Sequence, residues 1–495
     1  MDSKDTRPAV LSIGGTDPSS GAGVYLDNRV LHALGVHCCP IASVVTAQNS
    51  DGVTRFTPVC DTVFGAQLDS VFTEFSPGVI KAGLLGYLAQ FVLLQQRLDR
   101  GQILIWDPVL SSSSGTSFLR VEDIRHGMRI LKGKITLFTP NIPEASLITG
   151  ISITDHRSMI QAADCLVEMG IENVVIKGGH EGASPTECRD LFYTHTEHFW
   201  VITDRIGNGH RVRGTGCTFA SAVAAAMARG DGVRDAVVLG RAVVSRNIEN
   251  SYGLGGMRFQ GVSAWPTSYR SFPVVRYGSQ PTPMENAVLR CDCHRLGVYP
   301  VVDSADWVRR LLETGIRTIQ LRMKTGDPGG WEKEITTAVE LANQFGARLF
   351  INDHWQLAIR HHAYGVHLGQ EDLRSADIES IARAGVRLGV SVHGFCEMAA
   401  AINIDPSYIA VGPVFESTSK RMEFAPQGVD KVRFWVDFLE QRWPLVAVGG
   451  IDMERSRMLM DTGVGSIAMI SAITRSRDYV SASREFIELW EKRPV

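Results

Sequence analysis

From Ala9 to about Gly255, short apolar runs alternate with stretches of helical period. AVLSIGG, CCPIASVVTAQ, VIKAGLLG, ILIWDPVL, ITLFTPN and NVVIKGG each end in turn or polar residues. Strands of this kind, separated by helices, predict a mainly parallel sheet covered on both faces, an α/β sandwich. Ligands of such sheets bind beyond the carboxyl ends of the strands. That places Gln48, Asn49, Asp107, Asn141 and Lys177 at candidate positions. From Leu296 onward there are eight apolar runs in about 200 residues: GVYPVVD, TIQLRMK, RLFIND, GVHLGQ, RLGVSVH, YIAVGPVF, PLVAVGGI and GSIAMISAI. Helical segments such as WEKEITTAVELANQFG fill most intervals, and a (β/α)8 TIM barrel is the natural solution. The carboxyl ends of its strands carry Lys324, Asp353, Gln370, Ser391, Gly450 and Ser471. A bland fold does not need charged groups there, so this half reads as an enzyme.

Between Ser271 and Arg295 the pattern lapses into SFPVVRYGSQPTPMENAVLRCDCHR, which has the Pro, Gly and polar content of a connector. The expected division is a first domain over 1–270, a linker over 271–295 and a barrel domain over 296–495.

Composition narrows the function classes. A chain of 495 residues suggests two large domains or three smaller ones, and a formal net charge of −3 gives no push toward nucleic acid or anionic membrane. Nine cysteines, an odd count in a large chain, read as reduced thiols. The start MDSKDTRPAV lacks an apolar signal core and no apolar run reaches membrane-spanning length, so a cytoplasmic, soluble protein is expected. Cys291, Cys293 and His294 lack a matching second ligand pair and read as an incidental cluster rather than a zinc site.

In the barrel half, Arg322 and Lys324 alternate with an apolar residue, so both can point into the mouth from one strand. Asp353 and Asp372 end neighbouring strands and are placed to share Mg²⁺, which takes carboxylates plus phosphate oxygens. Two cations and a metal at one mouth suit a pyrophosphate. Ser417, Thr418, Ser419 and Lys420 follow the sixth strand, Gly449 and Gly450 the seventh, and Ser471 closes the eighth, where many barrels hold a phosphate. A diphosphate and a monophosphate side by side imply a joining reaction in which pyrophosphate leaves.

In the first half, RGTGCTFASAVAAA sets Gly214, Thr215, Gly216 and Cys217 before a run of small helix formers. Glycines there let a ligand approach the backbone, and the first N–H groups of the helix point at an anion. A thiol in that field should have a lowered pKa. The stretch is either a phosphate cradle with a reactive group or a tight turn with a buried cysteine.

The ordered motifs carry two resemblances. QLRMK, IND, GVHLGQEDL, YIAVGPVF, VAVGGI and MISAI together resemble the thiamine-phosphate synthases, from Leu296 to about Arg475. That similarity implies coupling of hydroxymethylpyrimidine diphosphate to a thiazole phosphate. It implies that Gln320, Arg322, Lys324, Asn352, Ser391 and Lys420 hold the pyrimidine diphosphate, and that Asp353 and Asp372 bind Mg²⁺. Ser417, Thr418, Ser419, Gly450, Ile470 and Ser471 would hold the thiazole phosphate; Ser417 and Ser419 stand where the family usually has Thr. The pyrimidine's amino group can stabilise a cationic methylene that the thiazole nitrogen attacks, so no protein nucleophile is required.

IGGTDPSSGAG, VVTAQNSDGV, IKAGLLG, WDPVL, TPNIPEA, VIKGGH and RGTGCTFA resemble, in order, the ribokinase-like hydroxymethylpyrimidine and phosphomethylpyrimidine kinases, over about Ala9 to Gly255. By that resemblance Cys217 is the base, Gln48 binds the pyrimidine, and Asn141 and Glu144 organise Mg·ATP. Lys177 faces the phosphates, Gly214, Thr215 and Gly216 present N–H groups to the transferring phosphate, and Asp107 is a weaker metal candidate. The family's GGAGIQAD reads SGAGVYLD here, with Ser20, Tyr25 and Leu26 substituted, and Arg213 replaces the His that often precedes GTGC. The rivals are a pyridoxal-type kinase and a chain with one catalytically silent half. The partners implied are small-molecule substrates, with ATP as co-substrate, and a homo-oligomer is compatible with the sequence.

Overall fold

The computed structural model describes residues 7–112, 115–179, 186–206, 212–278, 287–324, 327–416 and 425–491. The chain splits into two compact units, one spanning 1–266 and 270–281, the other 267–269 and 282–495.

The first unit contains β1 (Ala9–Gly15), β2 (His37–Asn49), β3 (Gly52–Pro58), β4 (Val79–Ala82), β5 (Ile103–Trp106), β6 (Ile135–Phe138), β7 (Asn173–Ile176), β8 (Glu187–Tyr193), β9 (His198–Asp204), β10 (Tyr252–Leu254), β11 (Met257–Phe259) and β12 (Val274–Tyr277). Ten of them form one sheet in the order β12-β9-β8-β7-β6-β5-β4-β1-β2-β3, while β10 and β11 pair as a separate ribbon. The six apolar runs of the sequence are the parallel centre, from β7 through β4 and β1 to β2. The strand order reverses beside β1, the switch point where ligands of such sheets gather. Trp106, Phe91, Phe138 and Trp200 anchor the core on one face. The antiparallel margin, β3 on one side and β8, β9 and β12 on the other, was not anticipated from the pattern. The margin also corrects the expected linker. Residues 274–277 pair with β9 as an edge strand, with Val275 buried, so the segment read as a connector from Ser271 begins inside the first unit's sheet.

The second unit is a closed barrel of β13 (Gly297–Val302), β14 (Thr318–Leu321), β15 (Arg348–Asn352), β16 (Gly365–Leu368), β17 (Arg387–Val392), β18 (Tyr408–Val411), β19 (Leu445–Val448) and β20 (Ser466–Met469). All neighbouring pairs are parallel, and each expected run supplies one strand. The helix Ala305–Glu313 shows why the layers close: Val308, Leu311 and Leu312 are buried, and Ser304 Oγ accepts from Trp307 N at its start.

The end of the expected linker is part of this barrel. Arg290 pairs with Asp405 at 2.6 Å, Asp292 accepts from Arg348 Nε at 2.7 Å, and Leu296 N donates to Ser466 Oγ at 2.8 Å. Cys291 and Cys293 pack against the Tyr299–Phe350–Tyr408 core cluster. Arg348 and Ser466 start their strands and Asp405 lies just ahead of β18, so residues 287–296 cover the mouth opposite the carboxyl ends of the strands. Among the described residues, no three His, Cys, Asp or Glu converge as a metal cage. Among them, also, no helix is long and apolar enough to cross a membrane.

Candidate active sites of the two units

In the first unit, the helix Thr215–Ala228 starts from Gly214 in the left-handed region at φ 73°, with no side chain capping it. A Cβ on Gly214 would lie 2.2 Å from Gly21 O and 2.3 Å from Leu26 Cδ2, so only glycine lets this turn sit against the SGAG loop. A Cβ on Gly216 would lie 3.1 Å from Lys177 Nζ and 3.4 Å from Asp107 Oδ2. The helix start therefore touches the carboxyl ends of β5 and β7.

There Lys177 Nζ pairs with Asp107 Oδ1 at 2.5 Å, and Thr139 Oγ1 donates to the same oxygen. Asn141 and Glu144 cap each other across the first turn of the helix Ile142–Thr149, at 2.9 Å in both directions. Asn141 also bridges to Lys177 through the backbone. Burial raises the Glu144 carboxyl, while the Lys177 cation opposes that rise. Desolvation works against the charge of Lys177, yet Asp107 and Glu144 hold its pKa above the ordinary lysine value. Five expected residues, Asp107, Asn141, Glu144, Lys177 and Gly216, are thus brought together.

Cys217 lies beside them, but its protonation differs from the expectation. Burial pushes the thiol up to about 11; Lys81 opposes this, and Asp27 and Asp107 add to it. The electropositive helix start does not offset desolvation plus two carboxylates, so these surroundings favour the thiol over the thiolate. Beneath it runs a buried network that the sequence reading did not include. Asp27 accepts from Lys81 Nζ at 2.7 Å, Ser12 Oγ at 2.8 Å and Ser221 Oγ at 2.9 Å, and Ser221 sits one helical turn beyond Cys217. A lysine inside the apolar run VIKAGLLG was the available signal.

Gln48 is held at the end of β2, where Nε2 donates to Thr46 Oγ1 at 3.1 Å and Oε1 accepts from Arg213 Nη2 at 2.9 Å. Arg213 Nη2 also reaches Asp17 Oδ2 at 3.3 Å. The departure at Arg213 is therefore wired directly to the expected pyrimidine-binding residue.

In the barrel, Gln320, Asn352 and Ser391 lie at the carboxyl ends of β14, β15 and β17, with Arg322 and Lys324 just beyond β14. Asp353 follows β15 at φ 65°, a left-handed conformation rare for a residue with a side chain. Burial raises its carboxyl, to about 6, and the charge of Asp372 adds to the rise through a direct side-chain interaction, against the lowering pull of Arg322. Two carboxylates held together in spite of mutual repulsion, with a strained backbone under one of them, fit a shared hard dication.

Gly450, at φ 66°, follows β19, and a Cβ there would lie 2.3 Å from Glu416 O. Ile470 and Ser471 begin the short helix after β20, the neighbouring strand. Ser417, Thr418, Ser419 and Lys420 lie outside the described residues. His367 was missing from the expected set. Its Nε2 stands 2.8 Å from Ser391 Oγ, and burial together with Arg322 pushes its pKa down to about 4.

Comparison with known proteins divides the chain in the same way. A family model described as phosphomethylpyrimidine kinase matches residues 17–262, and one described as thiamine monophosphate synthase matches residues 298–473. Over 196 residues the chain is 52% identical to a thiamine-phosphate synthase of Cronobacter sakazakii, covering 40% of this chain and 93% of that protein. Over 195 residues it is 50% identical to the Salmonella typhimurium thiamine-phosphate synthase, covering 39% and 92% respectively. A solved pyridoxal kinase from Staphylococcus aureus in complex with ADP superposes with a TM-score of 0.50 at 25% identity, over 55% of this chain and 99% of that one.

Proposed function

The chain belongs to the thiamine-phosphate synthase family through its second unit and carries a phosphomethylpyrimidine kinase domain in its first, and from this premise we propose how the two sites act. It is a bifunctional enzyme of thiamine biosynthesis, with kinase and transferase activities. The proposed sequence is phosphorylation of 4-amino-5-hydroxymethyl-2-methylpyrimidine and its monophosphate by ATP, then coupling of the diphosphate to thiazole phosphate. The observation that carries the reading is the occurrence of two anion-handling clusters, one at the carboxyl edge of each unit's sheet.

In the kinase, Gln48 pairs with the pyrimidine edge while Gly214, Thr215 and Gly216 offer N–H groups to the phosphate in transfer. Lys177 screens the nucleotide phosphates; Asn141 and Glu144 hold the nucleotide side in place. Cys217, as thiolate, takes the proton of the substrate hydroxyl as the new O–P bond forms and the bond from that phosphorus to the bridging oxygen of ATP breaks, releasing ADP.

In the synthase, Arg322 and Lys324 neutralise the diphosphate, Gln320, Asn352 and Ser391 orient the pyrimidine end, and Lys420 belongs to the same set. Gly450, Ile470 and Ser471 hold the thiazole phosphate, and Ser417, Thr418 and Ser419 belong to the same set. Asp353 and Asp372 are the residues that would hold Mg²⁺, whose chemistry is to offset charge on the departing pyrophosphate.

The resemblance of the first unit to solved pyridoxal kinases supports a second reading for that unit alone, a pyridoxal-type kinase. One assay tests the whole proposal: hydroxymethylpyrimidine, ATP, Mg²⁺ and thiazole phosphate supplied together, with thiamine phosphate as readout. Faster ATP consumption with pyridoxal than with hydroxymethylpyrimidine would favour the second reading.

A further inference from the structure

Five polar side chains form one hydrogen-bonded line through the barrel interior. Gln320 Nε2 donates to Tyr299 OH at 3.4 Å, and Tyr299 OH lies 2.9 Å from Tyr408 OH. Tyr408 OH lies 2.7 Å from His367 Nδ1, and His367 Nε2 lies 2.8 Å from Ser391 Oγ. The two ends are residues assigned above to the pyrimidine diphosphate; the middle three have no assigned role.

Packing alone does not account for the middle of the line. Tyr299 and Tyr408 are fully buried, and phenylalanine would fill the same space without hydroxyls that must find partners. The neighbouring strand is also shaped around the phenol, because a Cβ on Gly389 would lie 2.1 Å from Tyr408 Cζ and 2.4 Å from its hydroxyl oxygen.

The donor order follows from the chemistry of each group. An amide nitrogen only donates, so Tyr299 accepts from Gln320 and donates to Tyr408. Tyr408 then donates to His367 Nδ1. An imidazole that accepts at Nδ1 carries its one ring proton on Nε2. That proton goes to Ser391 Oγ, which leaves the serine's own hydrogen for a ligand. At the other end, the remaining oxygen of Gln320 can only accept.

We propose that Tyr299, Tyr408 and His367 are positioning residues that hold an acceptor at Gln320 and a donor at Ser391, and so select a 4-aminopyrimidine edge over a 4-oxo one. The amino form presents an exocyclic N–H and an unprotonated ring nitrogen, the complement of that pair. The oxo form presents the reverse. This inference rests on the reading of the barrel as a synthase.

The test uses the full chain with thiazole phosphate and ready-made pyrimidine diphosphates in amino and oxo forms, each substrate varied in turn while the other is saturating. Tyr408→Phe should raise KM for the amino substrate about tenfold, the loss of roughly one buried hydrogen bond, and leave KM for thiazole phosphate within about twofold. It should also narrow the amino-over-oxo preference in kcat/KM by about tenfold, which a merely structural role would not do. If Tyr408→Phe does not fold, Tyr299→Phe carries the same comparison. Imidazole ¹⁵N spectra of the wild-type chain, assigned by difference from His367→Gln, read the order directly. Protonation at Nε2 with bare Nδ1 is expected; protonation at Nδ1, or an unchanged preference in a folded variant, overturns the proposal. A wild-type chain that makes no thiamine phosphate would count against the synthase reading, while the spectra would still decide the proton order.

Discussion

Arg213 Nη2 stands 2.9 Å from Gln48 Oε1, so a cation fixes which way the amide at the end of β2 faces. The same nitrogen reaches Asp17, and the buried Nε has no partner among the described residues. Arg213→Ala should release the amide and raise KM for hydroxymethylpyrimidine about tenfold, the scale of one hydrogen bond to a charged group, with kcat little changed. Arg213→His, which restores the residue seen more often in the resembling kinases, should retain most of the affinity. Initial rates of ATP consumption decide it, and an unchanged KM in the alanine variant would remove Arg213 from pyrimidine binding.

The raised thiol of Cys217 gives the kinase a pH signature. Because burial moves its pKa to about 11, the thiolate fraction grows with pH throughout the neutral and mildly alkaline range. The kinase kcat/KM should therefore climb about tenfold per pH unit from pH 7 to 9 instead of levelling near 8.5, as an unperturbed cysteine would. Cys217→Ala should lose the slope together with about 10²–10⁴ of the rate. A wild-type plateau below pH 8 would show that the bound state reverses the shift or that another group is the base.

Lys81 and Asp27 form an ion pair that is wholly out of solvent, with side-chain exposures of 1% and 0%. Lys81→Met would leave the carboxylate buried with only the two serine donors, a loss on the order of 3–5 kcal/mol in the unfolding of the first unit. Asp27→Asn combined with Lys81→Met should regain much of that loss. Urea unfolding of Lys81→Met, Asp27→Asn and the double variant checks this, and additive losses would mean that the pair is not the unit of stability.

The centre of each unit was legible because its residues obey one period. Runs such as ILIWDPVL and YIAVGPVF are buried on both faces, and their polar ends fall where ligands bind. The margins were not legible. Residues 187–193 and 198–204 form a long antiparallel pair whose mixed ECRDLFY and HFWVITD patterns give no parallel-strand signal, and 274–277 is an edge strand of only four residues. At the sites, motif residues such as Lys177, Asn141 and Asp353 came together because strand ends converge. Lys81, Asp27, Tyr299, Tyr408 and His367 escaped notice because their role depends on partners far apart in sequence. The expected thiolate failed for a related reason: helix position is local, while desolvation and the charges of Asp27 and Asp107 are properties of the fold.

Each unit has its own sheet and its own buried cluster, so the two activities should separate. Cutting the chain within Gly278–Asn286 leaves β12 with the first unit and residues 287–296, which cover the barrel's lower mouth, with the second. The first fragment should retain kinase activity and the second synthase activity. Cutting instead at Leu296 should harm the barrel, because the Arg290–Asp405 and Asp292–Arg348 pairs would be lost. A second fragment that is inactive after the first cut, although the intact chain is active, would mean that the barrel needs the kinase unit.

Asp353 and Asp372 raise a sharper question, because the charge of Asp372 adds to burial in making the charge of Asp353 harder to hold. If they share the Mg²⁺ that accompanies the pyrimidine diphosphate, Asp372→Asn removes one hard oxygen charge from that site. The same change relieves the repulsion on Asp353, whose carboxyl should fall back toward the ordinary range and remain ionised at neutral pH. Arg322 and Lys324 stay in place, so diphosphate binding should weaken modestly. Turnover should fall much further, since charge neutralisation matters most as pyrophosphate departs. Added Mg²⁺ should partly rescue the variant by mass action, and kinase activity should be untouched. Thiamine phosphate formation measured against Mg²⁺ concentration, with the diphosphate supplied ready-made, separates these effects. A curve for Asp372→Asn that superimposes on wild type would exclude this carboxylate as a ligand and leave Asp353, with its left-handed backbone, as the single anchor on the protein side.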